Sequence, residues 1–126
     1  MKGDSMKAII GRTIIKQGTT KIEPEEFAFE GIKGIIIPDT VTVIGEDAFT
    51  CCDNLTQVEI PNSVIDIRKT AFYMCENLQI VTIPNSVKHI GRAAFGQCKK
   101  LTIRCYKGSY AAEYAIKHKI TVEYID

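Results

Sequence analysis

A 23-residue period constrains the fold of this 126-residue chain more than any other feature of its sequence. The pentapeptide Ile-Pro-Asn-Ser-Val occurs at 60–64 and again at 83–87, and the near copy Ile-Pro-Asp-Thr-Val occurs at 37–41. Fixed periods of about 20 to 50 residues are typical of repeat architectures, in which each unit buries its apolar face against neighbouring units. The sequence therefore predicts a solenoid.

The period extends beyond the pentapeptide, because the same residue type recurs at other positions of each unit. These columns are Val41, Val64 and Val87; Ile44, Ile67 and Ile90; Ala48, Ala71 and Ala94; Phe49, Phe72 and Phe95; Cys52, Cys75 and Cys98; and Leu55, Leu78 and Leu101. Residues one unit apart stack on each other in a solenoid, so each column predicts a continuous buried ladder.

The repeat also divides the chain into units. We expect four units at about 15–36, 37–59, 60–82 and 83–105, preceded by a partial unit and followed by a C-terminal cap at 106–126. The first unit is one residue short, and its apolar pattern is weaker. A chain of this length forms one core, so we predict a single domain over residues 1–126.

Within a unit, the pattern Leu-x-x-Val-x-Ile predicts a short strand. Val58 and Ile60 lie two residues apart and therefore share one face. Pro61 has no amide proton with which to continue a ladder, so the strand is expected to end there, and the following Asn-Ser pair favours a turn. Beyond the turn we expect a second, irregular side with short helical turns near 46–50, 69–73 and 92–96.

The last units depart from the repeat in a way that predicts a cap. Ser109 is a candidate N-cap for a helix that continues to His118. Alternating residues predict a strand before this helix, at Leu101, Ile103 and Cys105, and another after it, at Ile120, Val122 and Tyr124. The fold class expected is α/β: a solenoid of mostly short parallel strands with irregular or helical turns and a C-terminal helix–strand cap.

Charge and hydropathy argue against several classes of function. Sixteen Lys and Arg against fifteen Asp and Glu give a formal net charge of +1, which provides no electrostatic case for nucleic acid. No apolar run approaches the ~18 residues needed to span a bilayer, so we expect no membrane insertion. The N-terminal residues contain no apolar segment of the kind found in signal peptides.

Of the five cysteines, Cys52, Cys75, Cys98 and Cys105 are expected to point inward, and Cys51 is expected at an exposed turn position. They form no Cys-x-x-Cys pair and the chain has two histidines, so we expect no metal and no cofactor. Cys52, Cys75 and Cys98 follow the repeat, and parallel neighbours lie too far apart for a relaxed disulfide. The alternative is a thiol-dependent enzyme that uses Cys51 or Cys105 with a histidine. No nucleophile motif supports it, so we predict that the protein is not an enzyme.

The unit I-P-N-S-V-x-x-I-x-x-x-A-F-x-x-C-x-x-L-x-x-V-x resembles the BspA-like (Treponema pallidum type) leucine-rich repeat, and residues 106–115 are similar to the segment that closes such arrays. The resemblance implies a right-handed superhelix with a parallel sheet on its concave face. It also implies a non-catalytic interaction module, secreted or at the cell surface, where adhesion is a common role.

A partner is expected on the exposed strand positions, because stacked repeats create an extended concave face. The candidate partner-binding residues are Ile36, Thr56, Gln57, Glu59, Gln79, Ile80, Thr82 and Arg104, with Thr102 placed beside Gln79. We predict a monomeric, adhesion-type module that binds a protein partner through this face. The alternative is a structural spacer within a larger surface protein.

Overall fold

The computed structural model describes residues 12–125 and shows a solenoid of about five turns. Its strands are short and each strand pair is parallel. The elements are β1 (Arg12–Ile14), β2 (Lys21–Ile22), β3 (Gly34–Ile36), β4 (Val43–Ile44), β5 (Gln57–Glu59), β6 (Asp66–Ile67), β7 (Ile80–Thr82), β8 (His89–Ile90), β9 (Thr102–Tyr106), α1 (Tyr110–Lys117) and β10 (Thr121–Ile125).

The strands form two walls with the core between them. One wall contains the pair β1–β3 and the four-stranded sheet β5–β7–β9–β10, and the other is the four-stranded sheet β2–β4–β6–β8. The second sheet corrects the prediction of a wholly irregular second side. Its strands are two residues long, with isoleucine inward in each: Ile22, Ile44, Ile67 and Ile90 are buried. A two-residue strand is too short to give an alternating sequence pattern, which explains why it was missed.

The strands end at the prolines, as the sequence predicts. The amide of Ile60 donates to the carbonyl of Thr82 at 3.0 Å, and Pro61, the next residue, has no amide proton to continue the ladder. The carbonyl of Pro61 then accepts from the amide of Val64 at 3.1 Å, which closes the expected turn. The repeated pentapeptide is therefore a strand end followed by a tight turn.

The segments at 46–50, 69–73 and 92–96 are not helical, contrary to prediction. Left-handed backbone recurs at equivalent positions of successive units, with φ of 58° at Asp47, 53° at Thr70 and 54° at Ala93. A right-handed helix cannot pass through such residues. Alternate amides bond to the next unit, and the amides between them close tight turns within the chain, as from Thr50 to the carbonyl of Asp47 at 3.2 Å. The amide of Phe49, for example, donates to the carbonyl of Ala71 at 2.7 Å.

Substitution of Thr70 tests how much backbone strain is stored at these corners. A β-branched residue in the left-handed region is unfavourable by roughly 1–2 kcal/mol, whereas glycine adopts this conformation freely but loses more backbone entropy on folding. We expect Thr70→Gly to raise the free energy of unfolding, measured with urea, by about 1 kcal/mol. The matched variant Asp47→Gly should gain less, because aspartate tolerates the left-handed region. Equal losses in both variants would contradict this account.

A ladder of phenylalanine rings runs through the core. Phe27, Phe49, Phe72 and Phe95 stack with centroid separations of 5.3, 5.0 and 5.2 Å and interplanar angles of at most 8°. Each ring lies one solenoid turn from the next, so the ladder links all the repeats described here. Such aromatic pairs stabilise a core beyond the area they bury.

Removing one ring from the ladder should destabilise the whole domain. Phe72 is fully buried between two rings, so Phe72→Ala is expected to lower the free energy of unfolding by about 3–5 kcal/mol. Phe29 is 75% exposed, and Phe29→Ala should change it by less than about 0.5 kcal/mol. Urea unfolding followed by circular dichroism measures both. A loss at Phe72 as small as that at Phe29 would contradict the role of the ladder.

The predicted C-terminal cap is confirmed. The hydroxyl of Ser109 accepts a hydrogen bond from the amide of Ala112 at 3.1 Å and so caps α1. Tyr114 of this helix packs edge-on against Phe95, with centroids 6.2 Å apart and an interplanar angle of 65°, and so covers the end of the phenylalanine ladder. Strand β10 then pairs in parallel with β9, where Leu101, Ile103 and Cys105 are buried as expected.

Candidate protein-binding face

The eight candidate residues lie on or beside the outward face of β3, β5, β7 and β9. They are exposed or half-buried, while the residues between them, such as Val58 and Val81, point into the core. The pairing aligns Glu59 with Thr82 and Thr82 with Arg104, as the sequence predicted. The same surface, here called the groove face, is therefore continuous across these strands.

One predicted alignment is wrong by a residue. Thr102 pairs in register with Ile80, which itself pairs with Gln57, and it is not the register partner of Gln79 as expected. The interval between β7 and β9 is 22 residues, because the last unit has lost one residue before its strand. The period of 23 therefore aligns Thr102, the first residue of β9, with Gln79, one position before its observed partner Ile80.

A groove of about 850 Å³ lies on this face and crosses six strands, from β1 to β10. Of the eight candidates, Ile36, Thr56, Gln57, Glu59 and Thr82 line it. The other three, Gln79, Ile80 and Arg104, lie outside its lining. The structure thus gathers five candidates around one concavity and leaves three beside it.

Sequence reasoning missed several residues that line the groove. Pro61, Asn62 and Pro84 belong to the repeated pentapeptide, which we interpreted as a turn alone, and they form the wall at the strand ends. Arg12, Lys33, Tyr106 and Ile125 contribute from the first and last strands. The signal that could have found the prolines is their position directly after outward-facing strand residues.

The groove face contains two polar groups that the fold leaves incompletely bonded. The hydroxyl oxygen of Thr82 is buried and has no hydrogen-bond partner among residues 12–125. The Nε of Arg104 lies 3.3 Å from a carboxylate oxygen of Glu123 without making a well-directed hydrogen bond. Both atoms are enclosed by the protein, and the turn hydroxyls of Ser63 and Ser86 are equally unpaired among residues 12–125, so these groups do not by themselves mark a ligand site.

The two histidines do not form a catalytic pair with a thiol in this structure. Nδ1 of His89 lies 2.8 Å from Asp66, whose other carboxylate oxygen accepts from Nε of Arg68 at 2.7 Å. Partial burial raises the pKa of Asp66, but the hydrogen bonds from His89 and Arg68 outweigh it and leave this pKa below its usual value. The ring of His118 packs against Tyr114, with centroids 4.3 Å apart.

The repeated cysteines pack as reduced thiols and form hydrogen bonds between turns. Cys52, Cys75 and Cys98 each donate to the carbonyl of a phenylalanine in the preceding unit at 3.1 Å. Burial raises the pKa of Cys52 to about 11, and contact with the Cys98 thiol together with burial raises the pKa of Cys75. Cys105 is buried as predicted, and Cys51 lies at a half-exposed corner.

Alkylation should distinguish packing thiols from an activated one. In native protein treated with iodoacetamide, we expect the half-exposed Cys51 and Cys98 to react first, at rates no greater than that of free cysteine. Cys52, Cys75 and Cys105 should react only after unfolding, because they are buried and their pKa values are raised. Peptide mass spectrometry assigns the sites. Native labelling of any cysteine far faster than free cysteine would instead favour the thiol-enzyme alternative.

No three His, Cys, Asp or Glu side chains between Arg12 and Ile125 lie together in a group that could hold a metal ion. No helix in this part of the chain is long and apolar enough to cross a membrane.

Stacked parallel strands, ladders of buried Leu, Val and Ile, and a repeated corner define a leucine-rich-repeat solenoid. The chain belongs to the BspA type leucine rich repeat family, whose model matches residues 13–122 with six copies. Members of this family are generally protein-interaction or surface-protein modules and are typically non-catalytic. The resemblance read from the pentapeptide is thereby confirmed.

Solved structures show the same fold. A leucine-rich repeat protein from Bacteroides ovatus is 26% identical with a TM-score of 0.77, over 91% of this chain and 30% of that one. A leucine rich cell surface protein from Faecalibacterium prausnitzii is 25% identical with a TM-score of 0.70, over 84% of this chain and 34% of that one. A leucine-rich repeat protein from Bacteroides capillosus is 29% identical with a TM-score of 0.69, over 75% of this chain and 76% of that one.

The chain thus spans about a third of the length of the first two structures. A comparison with curated proteins found no match.

Proposed function

We propose that this chain is a non-catalytic module that binds a protein partner in the groove of its concave sheet face. The observation that carries the proposal is the contrast between the two sides of the strands. The inward positions repeat the same apolar residues, whereas the outward positions differ from unit to unit, as at Glu59, Thr82 and Arg104. Repeated apolar residues on the inside are what a stacked scaffold requires. Outward residues that vary from unit to unit are what selective recognition of a partner requires.

The shape of the groove suits an extended segment of a partner. Six strands about 4.8 Å apart give a groove roughly 24 Å long, enough for about seven extended residues. Gln57 and Glu59 offer amide and carboxylate groups at its centre, and Ile36 and Tyr106 offer apolar surface.

We also propose a role in adhesion as part of a larger surface protein. The support is the similarity to the Faecalibacterium prausnitzii protein described as a leucine rich cell surface protein, of which this chain matches only a part. The same partial coverage favours the second candidate, a structural spacer. The adhesion module and the spacer differ in one respect. The adhesion module needs specific contacts on the groove face, whereas the spacer needs none.

Charge reversal in the groove tests the proposal. Glu59 is exposed at the groove centre, and Glu59→Lys should weaken partner capture by more than about tenfold, because a reversed charge opposes a complementary surface. Proteins that co-purify with the full chain from the cells that express it are quantified by mass spectrometry. The affinity of the leading partner is then measured with purified components.

The matched control is Glu76→Lys, the same reversal at an exposed corner outside the groove lining. Capture should be retained in this variant and lost in Glu59→Lys. Retention of every partner by both variants would contradict binding in the groove and support the spacer. Loss of capture in both variants would show that capture depends on the overall charge of the chain and not on the groove.

A further inference from the structure

Charge is distributed unevenly along the solenoid, although the net charge of the chain is +1. Residues 77–125 contain eight Lys and Arg and two acidic residues, Glu113 and Glu123, whereas residues 12–76 contain six Lys and Arg and eleven Asp and Glu. Since the units stack in sequence order, the C-terminal end of the solenoid is basic. Net charge alone conceals this separation.

A pocket of about 330 Å³ lies within the basic end, between the last corner of the solenoid and the end of α1. Its polar lining consists of Gln97, Lys99, His118, Lys119 and Thr121, and no carboxylate lines it. These five side chains make no ion pair or hydrogen bond with other side chains in the 12–125 range. Five exposed residues with potential donor groups thus line one concavity that contains no carboxylate.

We propose that this pocket binds a terminal phosphate group, either that of a phosphate monoester or the end of an oligophosphate. Lysine is a common phosphate ligand that acts as a point charge, and a terminal phosphate presents three strongly accepting oxygens. A carboxylate has two oxygens, and an internal phosphodiester has two free oxygens and a single charge. The terminal phosphate thus matches the number and charge of the donors best.

The end of α1 does not prevent an anion from binding there. A helix C-terminus carries a partial negative charge that arises from its free carbonyl groups. Here the carbonyls of Tyr114, Ala115 and Ile116 already accept hydrogen bonds from the amides of residues 118–120. Lys99 and Lys119 carry two full positive charges, against about half a charge from the helix.

The site is separate from the groove face, because the two cavities share no lining residue. Binding of phosphate at the solenoid end is thus independent of the partner proposed for the groove. It would attach this end of the module to a phosphorylated small molecule or to a phosphate headgroup.

Calorimetric titration of the full chain with tripolyphosphate at low salt tests the site. We expect binding that weakens as salt increases, since exposed charges are screened. Lys99→Gln with Lys119→Gln should lower the affinity about tenfold for each lysine removed. The matched control, Lys16→Gln with Lys21→Gln, removes two exposed lysines from the first turns and should bind as the wild-type chain does.

Two further measurements identify the source of the phosphate group and the chemistry that the pocket prefers. Sedimentation with phosphatidylcholine vesicles that contain phosphatidic acid shows whether the phosphate of a headgroup is accepted as well as the soluble ion. An oligoglutamate of the same charge should bind less tightly than tripolyphosphate. The proposal is overturned if tripolyphosphate does not bind, if the Lys99 and Lys119 variant binds unchanged, if both variants weaken binding equally, or if oligoglutamate binds equally well.

Discussion

Hydrogen bonding between successive turns is the constraint on which the rest of the structure depends. The strands pair in parallel with the strands one turn away, and alternate corner amides also bond to the neighbouring turn, as between Phe49 and Ala71. Because both strands and corners bond to the neighbouring turn, the turns are held in one register. Identical side chains then meet at each level, which produces the ladders of phenylalanine and cysteine.

This coupling explains which parts of the fold could be predicted from the sequence. Columns such as Phe49, Phe72 and Phe95 reveal their contacts because stacking requires the same residue type at the same interval. The strand ends at Pro61 and the cap at Ser109 were also predictable, since each rests on a local chemical rule. The family assignment followed from the same residues.

The corners were not predictable for a physical reason. Asp47, Thr70 and Ala93 all have left-handed backbone, yet they share neither size nor polarity, and none is glycine. The amides of Asp47 and Thr70 donate to the carbonyls of Lys69 and Arg92 in the next turn, which are partners that a single unit does not contain. The candidate groove residues were only partly recoverable for a related reason: the 22-residue interval before β9 moves Thr102 out of the expected column, and the pocket joins Lys99 to Lys119 across two elements.

The edge-on contact of Tyr114 with Phe95 has a consequence for how such an array can lengthen. A new turn needs a flat ring face and a free corner to stack on, and at this end the tyrosine offers neither. Gene duplication that appended a unit after the helix would therefore place it against an incompatible surface. Growth of the array at this end is confined to insertion of whole 23-residue units before the cap, where each new phenylalanine finds a ring on both sides.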